Sequence, residues 1–260
     1  MKNNKNRART FTTMLISALV AHLANAQVAA PTPPDIRPPT PRLEDGTPNL
    51  GRVEIGKGYW ALEQHRVYAD ILVGRTDIPH LPWAKALASE RSATESRDDP
   101  QGHCLPPMGP RMMTTPYPME IVQLPQQQRI LMIFEGGAHM WREIYMDGRE
   151  FPAGDELNPT WMGYSIGHWE GDTLVVQVRG FNAKSWLDMT GDPHTEQLVI
   201  TEKFTRTDLY ILHYEATLDD PGAYTTDWTV AMDIKWDPAG QLQEYVCQEN
   251  NLWHGSKLNQ

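Results

Sequence analysis

His194 and Glu196 stand two residues apart behind Pro193, at what reads as the mouth of a strand. Side chains two apart on a strand share a face and sit about 6.5–7 Å from each other. Both can therefore address one small molecule from one wall. An imidazole titrates near neutral pH and a carboxylate can orient or tune it, which is the chemistry of general acid–base catalysis. Two further charges fall in phase with apolar neighbours. One face of 194–206 reads His194, Glu196, Leu198, Ile200, Glu202, Phe204, Arg206, and a second strand presents Met140, Arg142, Ile144, Met146. Burying a Glu or Arg is costly unless it is paired, so Glu202 and Arg142 require partners. They either form an ion pair that locks strands together or face a ligand. His194, Glu196 and Arg142 are the candidate catalytic groups.

Other chemistries are less well supplied. His194 and Glu196 could give two metal ligands, but a site needs three or four, and no spacing selects a third among His103, His139, His168 and His254. No metal is expected. Gly163-Tyr164-Ser165-Ile166-Gly167 matches G-x-S-x-G as a string, yet that nucleophile elbow requires a strand-to-helix turn, and here Ser165 reads as a strand residue. Of nine tryptophans, Trp141, Trp161, Trp169, Trp186, Trp228 and Trp236 could wall an apolar cavity for an aromatic ligand or plug a small barrel. The loop 180–188 mixes polar and aromatic groups close to His194, where binding residues concentrate. Trp161, Asn182, Trp186, Asp188, Glu202, Tyr224 and Trp228 are the candidate substrate-binding residues.

These side chains need a frame, and the second half of the chain supplies one. Alternating segments predict strands over 119–124, 129–135, 140–146, 163–169, 173–180, 196–207, 210–219, 227–236 and 241–247. Turn signals separate them: Asp147-Gly148, Glu170-Gly171-Asp172, Asp219-Asp220-Pro221-Gly222 and Pro238-Ala239-Gly240. Short connections make an antiparallel meander, a mainly β fold. It closes into an up-and-down, lipocalin-like barrel or folds into a sandwich; the barrel leaves no edge and provides an interior. One helix is expected over 82–92, with Pro82 in the first turn. Residues 27–52 read as a proline-rich lead-in and 53–260 as a single β-rich domain.

Residues 1–26 have the pattern of a secretory signal peptide: Lys2, Lys5, Arg7 and Arg9, then an apolar run, then Ala24-Asn25-Ala26. Cleavage is expected after Ala26, with localisation in the periplasm. The chain carries 23 basic and 33 acidic residues; removing those four positive charges leaves 19 against 33, a balance of −14. So acidic a body argues against a nucleic-acid partner, and no later run is long enough for a membrane span. In an oxidising compartment the two cysteines, Cys104 and Cys247, are expected to join. No Gly-rich phosphate fingerprint occurs, and no cofactor is expected. Nothing in the sequence sets the oligomeric state.

The run 157–176, LNPTWMGYSIGHWEGDTLVV, resembles a large family of exported bacterial hypothetical proteins. So do Gly180-Phe181-Asn182, Trp186-Leu187-Asp188, Pro193-His194-Thr195-Glu196, Asp219-Asp220-Pro221 with Tyr224, and Glu244-Tyr245-Val246-Cys247 with Glu249-Asn250 and His254. The likeness covers most of 42–255 and departs from the family where Thr195 replaces the usual serine. It implies export and carries no activity with it.

Two functions follow from the residues. One is a periplasmic, cofactor-independent lyase, isomerase or hydrolase acting on a hydrophobic or aromatic small molecule. There His194 is acid or base, and Glu196 and Arg142 orient or stabilise charge. The other is a non-catalytic, lipocalin-like small-molecule binding protein. A third, a structural envelope protein working through the proline-rich lead-in, suits the acidic, Trp-rich body poorly.

Overall fold

Alternation of apolar and polar residues builds most of the strands. In Thr173–Arg179, Leu174, Val176 and Val178 point inward; in Trp228–Asp237 it is Trp228, Val230, Ile234 and Trp236. The computed structural model describes residues 37–62, 77–115, 117–137 and 140–249. The expected signal peptide, the start of the lead-in, His139 and His254 lie outside them. Nine strands form a closed barrel in chain order: β1 Tyr59–Ala61, β2 Met119–Leu124, β3 Arg129–Phe134, β4 Trp141–Tyr145, β5 Tyr164–Glu170, β6 Thr173–Arg179, β7 Val199–Arg206, β8 Ile211–Asp219 and β9 Trp228–Asp237.

Three features depart from the expected meander. The barrel is mixed, because β4 and β5 run parallel, with Ile144 opposite Ser165. Residues 146–163 carry the chain back to the rim from which β4 started, as a parallel pair requires. The three-residue β1, too short to show a period, closes the barrel by pairing with β2 and β9. It occupies the edge of β9 through Tyr59–Asp237, Trp60–Trp236 and Ala61–Lys235. No ladder position remains there for 241–247, which form no strand. Finally, β7 begins at Val199 rather than at 196, because Glu196 and Gln197 make a turn.

The two rims differ. At one, residues 37–52 strap the barrel. Arg42 pairs with Asp172 in the β5–β6 turn, Thr40 donates to the Arg206 carbonyl, and the indole of Trp60 donates to the Leu50 carbonyl at 2.7 Å. Arg206, packed against both the Trp60 and Trp236 rings, donates to the carbonyls of Asn49, Gly51 and Leu209. At the other rim lie helix α1 (Pro82–Ala93), helix α2 (Gly109–Thr114) and the loops 180–198 and 220–227. Pro82 sits in the first turn of α1, where its missing N–H costs nothing. All six residues of α2 are buried. Gly109 comes so close to the inward Ile200 that a Cβ there would lie 2.6 Å from its Cδ1. A disulfide joins Cys104 to Cys247, with Cα atoms 5.7 Å apart.

Candidate functional site

The strand positions of Arg142 and Glu202 send both side chains into the barrel, where they are 4% and 0% exposed. Arg142 Nη2 pairs with Glu202 Oε2, and its Nε donates to Ser165 Oγ at 2.9 Å. The other carboxylate oxygen accepts from Tyr214 Oη at 2.8 Å. The register brings them together, since Val176 of β6 faces Glu202 while Ser165 lies beside Ile144 across the parallel seam. Burial, then the Glu202 charge, raises the Tyr214 phenol well above its ordinary pKa and keeps it a donor. Arg142 and Glu202 are each other's partners, and Ser165 is a strand residue that accepts from Arg142.

A second polar cluster lies at the α1 rim. His194 is buried against the edge of Phe181. Its Nδ1–H donates to the Thr195 carbonyl at 3.1 Å, and Nε2 accepts from Ser185 Oγ at 2.9 Å. Burial lowers its pKa, so the neutral ring is held with both nitrogens engaged. Asp188 organises the loop by accepting from the Gly191 and Asp192 amides and from Thr190 Oγ1. Asp220 does the same for Thr195, accepting from its amide and its hydroxyl. Tyr224 Oη donates to the Pro193 carbonyl at 2.7 Å, and its ring meets Trp228 edge-on. Trp186 lies under the Arg91 guanidinium, 4.4 Å from ring centre to Cζ.

Within that cluster His80 Nε2 is 2.5 Å from Asp192 Oδ1. Burial, then the neighbouring Asp188 charge, pushes the Asp192 carboxyl up to about 8, while burial lowers His80. Both shifts favour the neutral form of each partner across this contact. His80 is only half-buried. This pair was not visible in the sequence; its one signal was that each residue lies beside a proline in a loop, Pro79-His80 and Asp192-Pro193.

The expected site residues thus separate. His194, Trp186, Asp188, Tyr224 and Trp228 gather at the α1 rim, and Arg142 and Glu202 meet inside the barrel. Glu196 is exposed in its turn, so it does not share a strand wall with His194. Asn182 and Trp161 lie near each other, since the Asn182 amide donates to the Thr160 carbonyl. The six tryptophans do not line one wall: Trp228 and Trp236 point inward, Trp141 is 61% exposed, and Trp186 lies beneath Arg91. His103 and His168 are exposed or half-exposed and meet Arg97 and Glu170. Among the described residues no three His, Cys, Asp or Glu side chains converge as metal ligands.

The outer face of β3 and β4 carries a groove of about 380 Å³, formed by Leu131, Ile133, Phe134, Met140 and Trp141 with one carboxylate, Glu135. Leu242 and Gln243 make its far wall. The Gln243 amide donates to Glu135 Oε2 at 2.7 Å, the Tyr245 ring packs tilted against Tyr117, and the Cys104–Cys247 bond anchors the same segment. Comparison with protein-family models, with curated proteins and with solved structures finds no match for this chain.

Proposed function

We propose that the protein is exported to the periplasm, with cleavage after Ala26, and there binds a hydrophobic or aromatic small molecule as a lipocalin-like binding protein. The observation that carries this reading is the groove beside β3 and β4. Its volume of about 380 Å³ lies within the range of small-molecule sites, and its walls are apolar with an open indole, Trp141. Export agrees with the disulfide, which an oxidising compartment maintains. Titration with 1-naphthalenemethanol, followed by tryptophan fluorescence, tests the site. Trp141→Ala should weaken binding about tenfold or more; unchanged affinity in that variant excludes the groove.

An enzymatic reading is favoured by one different observation, the His80–Asp192 contact beside Asp188. A raised carboxyl in contact with a histidine is the arrangement from which acid and base roles are made. In that reading His80 and Asp192, rather than His194 with Glu196 and Arg142, exchange protons with the substrate. Any turnover by the wild type should then vanish in His80→Asn and Asp192→Asn while naphthalenemethanol still binds. Turnover that persists in both variants removes the assignment.

A further inference from the structure

Among the described residues that line the groove Glu135 is the one charged side chain, and its described surroundings leave that charge unanswered. Its Oε2 accepts from a neutral amide, that of Gln243, and no Lys or Arg among the described residues is paired with it. Arg129, at the start of the same strand, is committed to Glu143 at 3.0 Å and to Gln127 at 2.8 Å. Every other described lining residue except Gln243 is apolar. A neutral or anionic ligand that covered Glu135 would strip water from the carboxylate without replacing it, a cost of several kcal/mol for an uncompensated charge. A cation entering the same space restores the balance, and the attraction is stronger in a partly dry groove than in water. Trp141, 61% exposed and directly opposite Ile133 in the β3–β4 register, offers an indole face that attracts cations as well as aromatic rings. The net charge of −10 for the whole chain acts in the same direction at longer range.

We propose that this groove takes an amphipathic organic cation, with its apolar or aromatic body between Ile133 and Trp141 and its charged end on the free Oε1 of Glu135. The proposal rests on the reading of the groove as the ligand site and names the class of ligand. A volume of about 380 Å³ suits a molecule of two or three fused rings or an equivalent chain, not a folded partner or a bilayer.

Three probes of one shape test it: 1-naphthylmethylamine, cationic at pH 7, the neutral 1-naphthalenemethanol and the anionic 1-naphthoate. Their affinities are measured by calorimetry on the oxidised full-length mature chain at low and at 0.5 M salt. The amine should bind about tenfold or more tighter than the alcohol, the naphthoate weakest, with the preference shrinking in high salt. Glu135→Gln keeps an acceptor for the Gln243 amide and should erase the preference while leaving the alcohol's affinity within about twofold. Equal affinities for amine and alcohol in the wild type, or a preference that survives Glu135→Gln, overturn the proposal. If the alcohol binds and Trp141→Ala weakens it, the groove reading stands although the cation preference has failed. Should none of the three bind, both readings fall together.

Discussion

Inside the barrel Arg142 and Glu202 carry opposite charges, and the hydroxyls of Tyr214 and Ser165 take up hydrogen bonds that the pair leaves over. In the 180–198 loop Asp192 is buried beside a second carboxylate, and burial first, then the Asp188 charge, pushes its carboxyl up to about 8. The first cluster is closed upon itself between strands that fix its geometry. The second is assembled from a loop, a pre-helical turn and α1, and one member, His80, keeps a small part of its side chain, 13%, open to solvent. Opposite charges make a buried site inert, whereas like charges make it responsive to pH.

The largest effect is expected from breaking the interior pair. Glu202→Ala leaves the Arg142 guanidinium buried without its counter-charge and should cost about 3–5 kcal/mol in urea unfolding. Replacing both, as Arg142→Met with Glu202→Leu, should recover most of that loss. A double variant as unstable as the singles would show that the pair is not closed.

Reducing the Cys104–Cys247 bond acts at the other rim and should cost roughly 2–4 kcal/mol, bounded by loop strain and residual structure. Because the bond anchors Leu242 and Gln243, reduction should also weaken binding of 1-naphthalenemethanol. Intact affinity after reduction would detach the groove from the disulfide.

The loop cluster predicts a pH effect whose sign is set by the raised carboxyl. Asp192 titrates near 3.8 unfolded and near 8 folded, so the folded state binds the extra proton between those values. Its contribution is therefore full below about pH 4 and is lost as pH rises towards 8, by up to about 1.4 kcal/mol per pH unit. Asp192→Asn, whose amide can still donate to His80, should flatten that slope and raise the melting temperature more at pH 8 than at pH 5. An unaltered slope would mean that the Asp192 carboxyl is not raised in the folded chain. The smallest effect belongs to the exposed His168–Glu170 pair: Glu170→Ala should change stability by less than about 0.5 kcal/mol, far below Glu202→Ala.

Much of the frame was legible because apolar alternation is a local signal. β2 and β6 fall where their periods place them, and the inward phase of Glu202 and Arg142 followed from the same counting. The parallel seam was not legible: Asp147-Gly148 marks a turn, but which strand the chain pairs with next depends on residues 146–163 and on distant β1. Glu196 was misplaced because alternation ran on past the strand into an ordered loop, where Asp220 and the Thr195 amide set the backbone. His80 and Asp192 left no more than a neighbouring proline each, since two loops from distant parts of the sequence meet only in the folded chain.

The proposed ligand site lies outside the barrel, and the interior holds a structural ion pair. Methyl NMR of the protein titrated with 1-naphthalenemethanol tests that division most directly. Shifts should concentrate on Leu131, Ile133, Met140 and Leu242, which line the groove, and leave Ile144, Ile200 and Leu218 inside the barrel unmoved. Shifts centred on Ile144 and Ile200, with the groove methyls silent, would contradict it.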